Sequence, residues 1–236
     1  MSENGKATWV AAIGGGIVGA VLTAGTLVLA GPSLFGDRLV RSALIANPQM
    51  LVEAGEALRD RQFADTLQPI RASLELPFHS SWKGAEKPAV TLTYFFDYAC
   101  GYCRQSNPVL DRLLAENKDL RVVYRELPIL GPDSVAAARV SLAASKAGKF
   151  NAFHDALNAA GRPGPDTIAL AARAAGIPAQ PAGDAGEEAE LKSNMTLASQ
   201  LGATGTPLFV VGDRVINAAV GYDKLKEAVE AARQRS

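Results

Sequence analysis

The sequence predicts an α/β fold: a small mixed sheet covered by helices, carrying a helical insertion and preceded by an N-terminal membrane span and a helical stalk. Three observations predict it. Two β-branched, aromatic runs, "AVTLTYFF" (89–96) and "LRVVYREL" (120–127), flank a helical pattern and make a βαβ unit. The stretch from about 130 to 203 keeps apolar residues at helical spacing throughout. The chain then closes on "TPLFVVGDRVINAAVG" (206–221), two short strands about a Gly212-Asp213 turn, and a last helix, "YDKLKEAVEAARQR". The order βα, β, helices, ββα fits a sheet with both faces covered.

Taken in order, the chain begins with an uncharged run from Trp9 to Ala30. At about 1.5 Å per residue it is long enough to cross a hydrocarbon core of roughly 30 Å. Residues 1–30 are therefore expected to be a membrane anchor, or a cleaved signal segment with Val28-Leu29-Ala30 at the cleavage positions. The run exceeds the roughly 7–15 residues of a signal h-region, which favours the anchor. Its glycines argue against a buried soluble helix, each costing about 1 kcal/mol against alanine. Either reading carries the rest of the chain out of the cytosol. Lys6 before the run and Arg38 and Arg41 after it leave the orientation open on charge alone.

Residues 31–76 form a linker and stalk. "GPSLFG" is turn-rich. Asn47 can cap a helix that has Pro48 at its first position. Met50, Leu51, Ala54, Ala57 and Leu58 recur at helical spacing, and the helix is expected to run to about Gln68, before Pro69. Its apolar stripe either folds back on its own domain or joins copies of the chain as a homo-oligomer. Residues 77–236 make the compact domain. Lys plus Arg and Asp plus Glu number 24 each, and the absence of a basic stripe argues against nucleic acid as a partner.

Both cysteines of the chain, Cys100 and Cys103, lie in "DYACGYCRQSNP" (97–108), between the first long strand and its helix. A single close pair is no disulfide framework, so chemistry is the better reason for it. The first turn of a helix presents unpaired N–H groups and the positive end of its dipole. C-x-x-C pairs at such sites titrate at roughly 3.5–7.5 instead of about 8.5. Cys100, at the helix start, is expected to be the attacking sulfur, and Cys103, one turn on, to release a mixed disulfide. Two blander readings are weaker. Zinc wants four ligands, and the only histidines are His79 and His154. A structural disulfide closing so short a loop would constrain the unfolded chain little. His154, beside Phe150, Phe153 and Leu157, reads as a packed helix-face residue, and Asp97 as a helix cap or a solvated side chain. Thr206-Pro207 directly precedes a strand. From "GTP" alone an ordinary trans proline is the simpler reading; the remote cysteine pair shifts it to a cis peptide whose Thr206 backbone pairs with a bound peptide strand.

Five segments carry a family likeness: "FFDYACGYC" after a strand, Pro108 five residues past Cys103, "VVYRELPILGPDSVAAARVSLAA", the helical insertion, and "GTPLFVVGDRVINAAVG". On these the chain resembles the thioredoxin superfamily, and within it the DsbA-like thiol–disulfide oxidoreductases, most nearly the ScsC branch of exported bacterial proteins. The likeness covers about Leu76 to Arg233, and the "NPQ" helix start resembles the ScsC stalk. It implies a thioredoxin-like fold with a helical insertion at about 130–203. It implies Cys100 as nucleophile, Cys103 as resolving thiol, and Thr206 and Pro207 as the substrate-binding cis-proline loop. The implied partners are protein thiols or disulfides and a membrane redox partner, with no cofactor and no metal. The implied location is the periplasmic side of the inner membrane, anchored through residues 9–30 or soluble in the periplasm if the first 30 are cleaved.

One departure stands out. Relatives carry a buried acid six residues before the first cysteine; here that position is Tyr94, whose phenol, ordinarily titrating near 10, is no carboxylate base. Slow deprotonation of Cys103 is expected unless Glu126, Arg125 or water substitutes. Gly-Tyr between the cysteines, with Thr before the proline, is also the pairing of disulfide isomerases, so oxidation, reduction and isomerisation all stay open. The competing class is a peptide-binding holdase or Cu(I)-handling protein using the same thiols.

Overall fold

The structure, a computed structural model, describes residues 36–181 and 183–234. Helical residues 36–46 (α1) are followed by α2 (Gln49–Glu75), β1 (Trp82–Gly84), β2 (Val90–Phe96), α3 (Gly101–Glu116) and β3 (Leu120–Glu126). Four helices come next: α4 (Pro132–Lys146), α5 (Phe150–Ala160), α6 (Pro165–Ala175) and α7 (Ala185–Gln200). β4 (Leu208–Val211), β5 (Arg214–Ile216) and α8 (Tyr222–Arg233) end the chain. Two units are distinct, Met1–Ala57 and Leu58–Ser236. In the described part of the first, Leu39, Val40, Ile45 and Leu51 are exposed.

The second unit is built on a five-stranded sheet of order β1-β3-β2-β4-β5. β2 and β3 run parallel, with Val90 opposite Leu120 and Phe96 opposite Glu126, as a βαβ crossover through α3 requires. β4 lies antiparallel on the other side of β2, and β5 returns from it after the Gly212-Asp213 turn, where Gly212 adopts φ 57°. The two-residue period of β2 divides the core. Leu92, Tyr94 and Phe96 face one cluster with α3, α8 and the insertion helices α4 to α6. Phe95 faces a second cluster with Leu67 and Leu74 of α2 and Leu197 of α7. The strands and helices expected of the compact domain are present, with β1 as an addition there and α1 as an addition before the expected stalk helix.

α2 departs from expectation at Pro69. A proline inside a helix removes one hydrogen bond and crowds the preceding turn, yet the helix runs six residues further, to Glu75. Its last turns are fastened from the sheet. Leu67 and Leu74 are buried, and Thr93 Oγ1 donates to Leu74 O at 2.9 Å. Arg125, on β3, reaches the helix end. Its guanidinium donates to the carbonyls of Ser73, Leu74 and Leu76, and to Glu190 and Asn194 of α7 at 2.8 Å each. A buried cation at a helix C-terminus meets both the unpaired carbonyls and the negative end of the dipole.

The membrane span requires correction. Among the described residues no helix is long and apolar enough to cross a membrane. α2, the longest of them, carries Glu53, Arg59, Asp60, Asp65 and Arg71 along its length, charges a hydrocarbon core would not hold. Residues 9–30, on which the anchor and the membrane contact were placed, lie outside the described residues.

Arg125→Ala would strip the α2 carbonyls of their donors and leave Glu190 without its cation. Removing one partner of a buried pair costs about 3–5 kcal/mol. Urea melts are expected to show a loss of that size; a loss below about 1 kcal/mol would mean the cap does not hold the helix.

A candidate dithiol active site

β2 ends at Phe96, and the chain turns through Asp97, Tyr98 and Ala99 into α3. The turn closes by a bond from Cys100 N to Asp97 O at 3.0 Å. Cys100 is the N-cap of α3, with extended φ −78° and ψ 118°, and its sulfur accepts the Cys103 N–H at 3.4 Å. A sulfur therefore occupies the place where a serine or aspartate oxygen usually meets the unpaired amides of a first turn. The Cys100 thiol also reaches the Thr206 carbonyl at 3.3 Å, and the Thr206–Pro207 bond is cis. Cys100, Cys103, Thr206 and Pro207, remote in sequence, are thus neighbours.

The two thiols differ in depth. Cys100 is 6% exposed and Cys103 2%. Burial pushes the Cys103 thiol up to about 12, offset in part by the Asp97 backbone amide and by Thr206. A thiol that deep holds its proton at neutral pH.

Tyr94 lies beneath, fully buried and stacked between Phe96 and Phe209 at ring distances of 5.3 and 5.0 Å. Its hydroxyl donates to the backbone oxygen of Cys103 at 3.0 Å. Burial first, and Cys103 next, hold its pKa well above the usual phenol range. Tyr94 steadies the first turn of α3 and, keeping its own proton, is no base. Neither charged neighbour on β3 is among the groups acting on the Cys103 thiol. Arg125 faces α2 on the opposite side of the sheet. Glu126 is engaged by α4: its Oε1 accepts from Ser141 Oγ at 2.6 Å, while Oε2 is buried without a partner. Ser141 Oγ also meets the Tyr98 hydroxyl at 2.9 Å, which lies 3.1 Å from His154 Nδ1. Glu126, Ser141, Tyr98 and His154 form one buried chain between the redox turn and the insertion. Burial lifts the Glu126 pKa to about 7 and lowers that of His154 to about 3. His154 is thus a packed, neutral side chain.

Asp97 is neither solvated nor the α3 cap. It is 1% exposed, and its carboxylate accepts from the amides of Ala99, Ile129 and Leu130 at 2.8, 2.8 and 2.9 Å. Sequence reasoning also missed the open cavity of about 360 Å³ beside the proline, lined by Tyr102, residues 204–207 and residues 217–219. Tyr102, 64% exposed, was legible only as a spacer between the cysteines. Among the described residues no three His, Cys, Asp or Glu side chains converge as metal ligands.

Comparison with known proteins agrees with this geometry. Residues 91–230 match the DSBA-like thioredoxin domain. The chain is similar to a periplasmic thioredoxin-like protein from Salmonella enterica serovar Typhimurium, with 32% identity and TM-score 0.66 over 71% of this chain and 97% of that one. It is similar to the catalytic domain of Proteus mirabilis ScsC, with 26% identity and TM-score 0.67 over 72% and 98%. A thioredoxin-like oxidoreductase from Silicibacter pomeroyi gives 34% identity and TM-score 0.60 over 70% and 99%. A stretch of 77 residues is 34% identical to Na(+)/H(+) antiporter NhaA 3 of Salinispora tropica, and the match spans 12% of that curated relative's length.

The raised Glu126 pKa has a consequence for stability. The folded state favours the protonated acid, so its contribution is complete below the ordinary value of 4.5 and is lost as pH rises through about 7. His154 acts in the opposite sense between 6.5 and about 3, and cancels in a comparison of variants. Glu126→Gln is therefore expected to gain on wild type by about 3 kcal/mol between pH 4.5 and 8. Urea melts at the two pH values check it; an unchanged difference would show that Glu126 ionises normally.

Proposed function

The chain belongs to the DSBA-like thioredoxin family and is a disulfide oxidoreductase, and from that premise we propose that it is an exported, periplasmic enzyme acting on protein substrates, with isomerisation as its main reaction. Cys100 is the nucleophile, Cys103 the resolving thiol, and Thr206 and Pro207 hold the substrate strand beside them. The reading rests on one observation: the Cys100 sulfur sits at the α3 N-cap, on the Cys103 amide and beside the Thr206 carbonyl. A thiolate at that point is met by an N–H and by the positive end of the helix dipole. The periplasmic assignment is supported by the likeness to the Salmonella protein.

The reaction balances as thiol–disulfide exchange. Cys100 thiolate attacks one sulfur of a substrate disulfide; a mixed disulfide forms and the other substrate sulfur leaves as thiolate. Reduction follows if Cys103, deprotonated, attacks Cys100 Sγ and expels the substrate thiolate, leaving Cys100–Cys103 oxidised and the substrate with two electrons. Isomerisation follows if a substrate thiolate attacks the mixed disulfide instead and frees Cys100. Oxidation of a substrate runs the reduction backwards, with Cys103 as leaving group. Exchange is slow through a sulfur that must first lose its proton, and slow when the leaving thiol has a high pKa. Cys103, pushed up to about 12, hinders both routes that pass through it. The shuffling route uses Cys100 alone. That difference supports isomerisation. The reductive route uses the same first step and differs only in the second.

Refolding of scrambled ribonuclease and reduction of insulin test this. Wild type is expected to restore ribonuclease faster than it reduces insulin. Cys103→Ser is expected to keep part of the refolding activity, to lose insulin turnover and to accumulate mixed disulfide on Cys100. Cys100→Ser is expected to lose both activities. Donation of disulfides to reduced ribonuclease outpacing the repair of scrambled molecules would overturn the assignment.

A further inference from the structure

We propose that Asp97 is a positioning residue for thiol exchange, its buried carboxylate holding the redox turn against the loop between β3 and α4. The proposal rests on the exchange reading of the Cys100–Cys103 pair. A carboxylate has two oxygens, and here they face two ways. Oδ1 accepts the Ala99 amide, inside the turn, at 2.8 Å. Oδ2 accepts the amides of Ile129 and Leu130, across the gap to the other loop, at 2.8 and 2.9 Å. The backbone of the same residue contacts both cysteines: its carbonyl takes the Cys100 N–H at 3.0 Å, and its own N–H faces the Cys103 sulfur. The side chain thus sets the one peptide on which the dithiol is hung.

The position is an expensive one for an acid. A buried anion next to a pair that works as a thiolate opposes that thiolate by its field, and burying the charge at all needs bonds to match it. What the carboxylate supplies that an amide cannot is acceptance on both sides at once. Asparagine offers one accepting oxygen and turns an NH₂ against an N–H on the other side. With the clamp released on either side, the Cys100 N–H and the Asp97 N–H lose their alignment on the turn and on the Cys103 sulfur. The reduced dithiol loses stabilisation relative to the disulfide, and a couple whose reduced form is less stabilised is more reducing.

The experiment equilibrates the full chain with glutathione of known poise, and follows the exchange rate and the melting temperature alongside. Asp97→Asn is expected to move the equilibrium roughly tenfold toward the Cys100–Cys103 disulfide, about 30 mV more reducing, and to slow exchange at least tenfold. Ile129→Pro removes one donor to Oδ2 without altering the turn, and is expected to move the equilibrium the same way by less. A shift of Asp97→Asn in the oxidising direction would make the charge itself the active feature and overturn the clamp. A lower melting temperature with equilibrium and rate unchanged would reduce Asp97 to a structural residue. Should Asp97→Asn not fold, an unchanged equilibrium in Ile129→Pro overturns the proposal on its own. A wild type inert toward glutathione would instead remove the exchange reading beneath it, a result neither variant can mimic.

Discussion

The site depends on one contact, the Cys103 amide resting on the Cys100 sulfur at the start of α3. It makes a sulfur the cap of a helix, and it places the second sulfur a single turn behind the first. Everything else about the pair follows from depth. Cys100 caps α3, past the turn by which the chain leaves the sheet, with its thiol on the Thr206 carbonyl. Cys103 lies deeper, over Tyr94, where desolvation keeps its proton in place. Both side chains are buried, and they differ in their partners: Cys100 caps the helix beside the Thr206 carbonyl, and Cys103 lies one turn deeper, over Tyr94.

The sheet serves this arrangement from both faces. Arg125 and Glu126 are consecutive on β3, and the two-residue period sends them to opposite sides. Arg125 holds the end of α2 and the side of α7. Glu126 meets α4 through Ser141, and Ser141 meets Tyr98 of the redox turn. The helical insertion is therefore joined to the dithiol through hydroxyl and imidazole contacts as well as packing. Tyr94, beneath the dithiol, gives its hydroxyl to the backbone oxygen of Cys103. That hydroxyl anchors the base of α3 from beneath, where a phenol stands in place of a carboxylate.

Much of this was legible in the sequence. The βαβ unit was written in β-branched runs on either side of a helical pattern, and the terminal hairpin in Gly212-Asp213. The four insertion helices showed their apolar period, and the cysteine pair its spacing. These are local signals, and local signals survive folding. What stayed hidden depends on partners distant in the chain. α2 passes Pro69 because Arg125, more than fifty residues on, caps its end. β1 has three residues and exists by pairing with β3. Asp97 looked like a cap because aspartate before a helix usually is one; the amides that bury it come from residues 129 and 130. The uncharged run at 9–30 answered to length and hydropathy, and no helix among the described residues repeats that pattern.

The difference in reactivity between the two sulfurs is the claim on which the mechanism stands, and selective alkylation measures it directly. The fully reduced chain is treated with less than one equivalent of iodoacetamide at neutral pH and the label is located by peptide mapping. The account requires the label on Cys100, with Cys103 modified only after unfolding. Label on Cys103 first, or on both at equal rates, would contradict it.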